Sequence, residues 1–252
     1  MEPMYVICFY WEGDRWQRRV NPEIISDESY RRLAEKTGDV SLELASKYVN
    51  NLYHGIKKFA TREFEFICFT NENLNLVENV QKREFPMITK TGVLPRIFMF
   101  SPEANLSERQ VLCLDLDVMI VGTLEKIMGY DGLFCARSKF KPGEEYKLDG
   151  DVMSFRAGDQ IAQLFWDPFV ANVNAAVEFT QGRERYWVRH IADEFADRWD
   201  NVAPGAVLSY KWHISKKGRK LPPDGASIVS FHGIPRPHQV KIPELKKLWD
   251  HE

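Results

Sequence analysis

Several signals that would direct a functional reading are missing from this sequence. No run approaches the ~18 consecutive apolar residues of a membrane-spanning helix, so no transmembrane segment is expected. Charge of one sign is not in excess: 34 Lys+Arg stand against 36 Asp+Glu, a net of −2, which argues against general attraction to nucleic acid. Cysteine is scarce. Cys8, Cys68, Cys113 and Cys135 each lie inside a short apolar run, and none has the spacing of a zinc or redox motif. They are read as reduced core residues of a cytoplasmic protein. Met1–Trp11 carries no basic leader, so no signal peptide is expected. Internal repeats and low-complexity segments are also lacking. What is present is a 252-residue chain that is 44% hydrophobic and 13% aromatic, enough for a sizeable core.

Short apolar runs alternate with longer amphipathic stretches. The pattern predicts strands at Met4–Tyr10, Phe64–Thr70, Gln110–Asp115, Gly132–Ala136, Asp151–Phe155, Ala206–Tyr210 and Ser227–Phe231. Leu42–Phe59 reads as a helix, with apolar residues at Leu44, Tyr48, Val49, Leu52, Ile56 and Phe59. Further helices are expected at Glu23–Lys36, Lys90–Phe100, Gln160–Asn172, Glu184–Trp199 and Ile242–Asp250. This order implies an α/β chain with a mixed, mostly parallel central sheet flanked by helices, whose ligands sit at the carboxyl ends of strands.

Two segments carry candidate chemistry. In "VLCLDLDVMIVG" (Val111–Gly122), Asp115 and Asp117 stand two apart within an otherwise apolar run. On a strand, residues two apart face the same way, their Cα atoms about 6.5 Å apart. Like charges in an apolar frame call for a positive partner, and oxygen ligands favour Mg²⁺ or Mn²⁺ over zinc. A bare aspartate turn is the plainer alternative. The second segment is "VSFHGIPRPH" (Val229–His238). There Ser230 and His232 would share a strand face, Gly233 permits close approach of a ligand, and Arg236 is stiffened between Pro235 and Pro237.

Together with "YVNNLYHGIKKF", "FEFICFTNE", "VLPRIFMFSP", "VMSF" and "PGAVLSYKWH", these segments resemble the GT-A fold glycosyltransferases. The likeness is strongest to bacterial and phage relatives of the glycogenin-like (family 8) retaining enzymes. The resemblance implies one GT-A domain over 1–252, with a helical insertion around 17–44. It also implies a metal-dependent transferase that moves a sugar, with retention, from a nucleotide-diphosphate-sugar donor to an acceptor. A UDP-sugar is the favoured donor, and the acceptor would be a glycan, a lipid-linked glycan or a small molecule. In this reading Tyr10 and Trp11 lie against base and ribose, Arg96 approaches the donor, and Gly233 and Arg236 meet the diphosphate. Asp115, Asp117 and His232 hold Mn²⁺ or Mg²⁺, Asp115 also reaching the ribose. Asp151 and Glu184 contact the transferred sugar. The chain departs from its relatives where their metal histidine stands three residues before the glycine: that place is Ser230 here. The alternatives are a Mg²⁺-dependent phosphatase of the haloacid-dehalogenase type, whose D-x-D also ends a strand, and a nucleotide-sugar-binding domain without turnover.

Overall fold

The computed structural model describes residues 2–11, 40–89, 92–106 and 108–250. The expected helix at Glu23–Lys36, and most of the insertion that holds it, lie outside the described residues, as does Lys90. Ten strands are described: β1 (Met4–Phe9), β2 (Phe64–Phe69), β3 (Val80–Arg83), β4 (Gln110–Leu114), β5 (Val118–Ile120), β6 (Phe134–Ser138), β7 (Leu148–Arg156), β8 (Asp197–Arg198), β9 (Val207–Ser209) and β10 (Ile228–Ser230). Seven form one sheet in the order β3-β2-β1-β4-β7-β6-β8, and three form a smaller sheet, β5-β10-β9. The block β3-β2-β1-β4 is parallel, while β7 runs antiparallel to both β4 and β6.

Strand period decides the layers. Met4, Val6 and Cys8 of β1 enter one apolar cluster, and Tyr5, Ile7 and Phe9 enter the other, as alternation across a pleat requires. Because both faces are covered, β1 and β4 are buried along their whole length, and this is why they read as unbroken apolar runs. The helix Leu42–Phe59 covers the first face through Ala45, Val49, Leu52 and Ile56, which share a cluster with Met4, Val6 and Phe66. Ser41 caps its start, accepting from Leu44 N at 3.1 Å, while Glu43 and the pair Lys57–Lys58 complement its dipole. Truncating a side chain such as Leu52 costs about 2–5 kcal/mol.

The expected strands are present, most with their ends trimmed, β6 shifted toward Ser138 and β7 longer at both ends, and several helices differ. Lys90–Phe100 is a tight 3₁₀ turn over Leu94–Phe100; Pro95 at its start withholds an N–H. Gln160–Asn172 breaks into Asp159–Ile161, a wider turn at Ala162–Trp166, and Asp167–Ala171. The helix from Glu184 stops at Ala192, and the chain then forms β8 beside β6. A helix at Val173–Thr180, capped by Asn172, and the short strands β3 and β5 were not anticipated. All four cysteines are buried and free, as expected, and Trp166, Trp187 and Trp199 fill the core.

One correction bears on function. Asp115 and Asp117 do not share a strand face, because β4 ends at Leu114 and Asp115-Leu116-Asp117 forms a turn into the second sheet. Asp115 N donates to Asp151 O (2.9 Å), Val118 N to Asp115 O (3.3 Å), and Phe231 N to Asp117 O (2.9 Å). The backbone is thus clipped to β7 on one side and to the end of β10 on the other. For the same reason Ser230 and His232 do not share a strand face, since β10 ends at Ser230.

Candidate active site

The strand order reverses between β1 and β4, the place where an open α/β sheet leaves a crevice at its carboxyl edge. Tyr10 and Trp11 leave the sheet there; Tyr10 N donates to Phe69 O at 3.0 Å, and Trp11 is buried edge-on against Phe85. The Asp115–Asp117 turn leaves from the neighbouring strand.

Arg96 organises one side of the turn. Its side chain is 8% exposed, yet it is a cation. Nη1 lies 2.6 Å from Asp115 Oδ1 and 3.0 Å from Glu184 Oε2, while Nη2 donates to Cys113 Sγ and to Gly150 O, both at 3.2 Å. Burial alone would lower the pKa of this guanidinium, but Asp115 and Glu184 outweigh it and leave the pKa raised. Burial pushes the Cys113 thiol up to about 11 despite the adjacent guanidinium, so the thiol is a neutral partner at physiological pH. A close backbone approach brings Arg96 and Glu184 together. Val93 N donates to Gly182 O at 2.9 Å, and a Cβ on Gly92 would fall 2.1 Å from that same oxygen, so the contact requires glycine.

The other side of the turn belongs to Arg236, whose Nη1 is ion-paired with Asp117 Oδ2 and reaches Phe231 O at 3.4 Å. Gly233, at φ +96°, begins the loop that carries Arg236. Deeper in, Asp151 accepts from Ser230 Oγ and is ion-paired with Arg137 Nε. Arg137 Nη2 also lies 3.3 Å from Asp149, and its guanidinium sits 4.0 Å over the Phe140 ring. Burial would raise the Asp149 carboxyl, but Arg137, Arg185 and Arg189 hold it below the usual range.

His232 stacks on Phe140, with centroids 5.7 Å apart and planes 20° apart, and its Nε2 meets Ser209 Oγ at 2.7 Å. The residue as a whole is exposed. Desolvation of the ring against its neighbours first, and the Arg137 charge second, hold its pKa below the ordinary imidazole value.

No protein-family model matches this chain, and no curated protein matches it in sequence. Solved structures do match it. The galactosyltransferase LgtC, in complex with donor and acceptor sugar analogues, superposes with a TM-score of 0.58 at 11% identity, over 98% of this chain and 96% of LgtC. The glycosyltransferase GlyE of Streptococcus pneumoniae TIGR4 gives 0.60 at 12% identity, over 100% of this chain and 60% of GlyE. The bifunctional glycosyltransferase WbbM gives 0.56 at 9% identity, over 99% of this chain and 52% of WbbM. This chain has the GT-A glycosyltransferase fold. At such identities the likeness carries the fold and not a family within it.

Within this GT-A fold, the residues singled out in the sequence fall into separate groups. Asp115, Glu184 and Arg96 come together, as do Asp117 and Arg236, and Asp151 with Ser230. His232 is not gathered with the two aspartates: among the described residues, no group of three or more His, Cys, Asp or Glu side chains is arranged to hold a metal ion. Tyr10 and Trp11 stand at the end of β1, next to the strand that leads into the aspartate turn. Arg137, Phe140 and Ser209 were not anticipated as site residues. An arginine inside the apolar segment "LFCAR" was a usable signal, because a fully buried arginine is almost always paired. Nothing in the sequence marks Ser209 as the partner of His232.

Proposed function

We propose that this chain is a glycosyltransferase that moves a sugar from a nucleoside-diphosphate-sugar donor, by preference a UDP-sugar, to an acceptor, with retention of configuration. Residues 1–252 would form one GT-A domain. One observation carries the reading: at the crevice of a GT-A fold, a single turn presents two aspartates, each matched to its own arginine. A departing nucleoside diphosphate gains negative charge, and cations already in place where that charge develops lower the barrier. Arg236, held between two prolines, would meet the phosphates. Tyr10 and Trp11 would lie along base and ribose.

The carboxylates of Asp115 and Asp117 fit a hard divalent cation by the chemistry of their oxygens. They would hold Mn²⁺ or Mg²⁺, without His232, which is turned to Ser209 and Phe140; the cation would add charge stabilisation to the leaving diphosphate. Asp151 and Glu184 are the proposed contacts to the transferred sugar. Each is fixed by an arginine, and a carboxylate so fixed accepts hydrogen bonds from sugar hydroxyls in one orientation.

A second reading, nucleotide-sugar binding without turnover, is favoured by that same pairing, since both carboxylates facing the sugar already have cationic partners. The phosphatase reading gains nothing from the fold. Nucleoside-diphosphate release from a panel of nucleotide sugars with Mn²⁺, run beside a generic phosphatase substrate, separates the three. Slow donor hydrolysis abolished in Asp117→Ala supports the transferase. Donor binding with neither hydrolysis nor transfer supports the second reading. Phosphate release from the generic substrate contradicts both.

A further inference from the structure

The segment that follows β9 carries five cations and no acid in ten residues: Lys211, Lys216, Lys217, Arg219 and Lys220. All five are exposed, and among the described residues none forms an ion pair with a carboxylate. In a chain of net charge −2, this is a local concentration of like charge with no counter-charge from the fold. Apolar groups are set among the cations. Leu221 is 49% exposed, and Trp212 is half-buried with Lys216 Nζ 3.5 Å above its ring.

We propose that this loop docks the protein, peripherally and reversibly, on an anionic lipid bilayer surface. The kind of cation favours that partner over a discrete anionic ligand. Four of the five are lysines, compact point charges without the planar fork that reads a single phosphate or carboxylate, and such charges suit a diffuse layer of headgroups. Leu221 and Trp212 point the same way, since an indole is at home at the headgroup level and a leucine just beneath it. A bare polyanion would offer those two side chains nothing.

The loop is also tied to the crevice. Trp212 N donates to Ser209 Oγ at 3.2 Å, and that hydroxyl meets His232 Nε2 at 2.7 Å. Docking through the loop therefore holds the rim of the crevice at the membrane surface. The proposal goes beyond sugar transfer and stands or falls without it.

Vesicle co-sedimentation of the full chain tests it, with phosphatidylcholine alone compared with phosphatidylcholine containing phosphatidylserine. The expected result is binding to the anionic vesicles only, weakening as salt is raised. Each cation at such a surface strengthens partitioning ~5-fold. Hence Lys216→Gln, Lys217→Gln, Arg219→Gln and Lys220→Gln combined should lower it by roughly 100-fold or more, with an unchanged melting temperature because all four side chains are exposed. Leu221→Ser should lower it by a smaller factor. The proposal is overturned if the wild type ignores anionic vesicles, or if the correctly folded quadruple variant binds them as well as the wild type. It is equally overturned if heparin binds as tightly as the vesicles while Leu221→Ser changes nothing, which would mark the loop as a polyanion site.

Discussion

The two halves of the aspartate turn are built differently. Asp115 faces Arg96, which comes from a turn packed in the core and is held by four partners from three parts of the chain. Asp117 faces Arg236, which comes from a loop, is ion-paired with Asp117 and reaches the Phe231 carbonyl. The first arrangement resembles a buried ion-pair network, where removing one member strands the others. In the second, a loop arginine meets a carboxylate with both side chains largely buried, so its loss would touch folding as well as ligand affinity. Arg96 is framework by this comparison, and Arg236 would, in the proposed function, meet the ligand as well.

Substitutions separate these roles. The largest effect is expected from Arg96→Met, which removes the guanidinium that both Asp115 and Glu184 meet. Denaturant unfolding should show a loss of about 3–5 kcal/mol. A loss below ~1 kcal/mol, in the range of a surface pair, would erase the distinction between the two halves. Arg236→Ala comes next. It should weaken nucleoside-diphosphate binding by roughly 10–100-fold, the worth of one charge-assisted hydrogen bond, and lower stability by less than Arg96→Met does. The smallest effect concerns pH. The folded-state pKa of Asp149 is held down, so its ionisation contributes stability above the unfolded value of ~3.9. That contribution disappears as pH falls through the lowered folded value. Acid unfolding followed by circular dichroism should accordingly be shallower below pH ~4 in Asp149→Asn than in the wild type; identical acid limbs would detach Asp149 from the Arg137 pair.

The framework was easier to read in the sequence than the site. β1 and β4 announce themselves because strands covered on both faces must be apolar throughout, and Leu42–Phe59 because its apolar residues recur at helical spacing beside a serine cap. The D-x-D turn is visible as residues, but its geometry is not. The apolar run continues past Asp117, and nothing local shows that the chain changes sheets there. Only the pairing of β5 with β10, over a hundred residues downstream, moves the two carboxylates off a common strand face. The same long-range pairing decides His232. Its place beside Phe140 and Ser209 depends on how β9 and β10 align, which no local pattern encodes. Arg96 and Glu184 were named from a resemblance, and their contact through Gly92 and Gly182 is likewise a meeting of distant segments. Local physics is written in local sequence; the site is assembled from turns that meet only after folding.

The most direct test is calorimetric titration of a nucleoside diphosphate into the wild type and Asp117→Ala, with and without Mn²⁺. The account predicts one site per chain in the wild type, strengthened by Mn²⁺. It predicts a loss of roughly 100-fold or more in Asp117→Ala, read on variant protein that circular dichroism shows to be folded. Equal affinity in both proteins, or no binding by folded wild type, would contradict it.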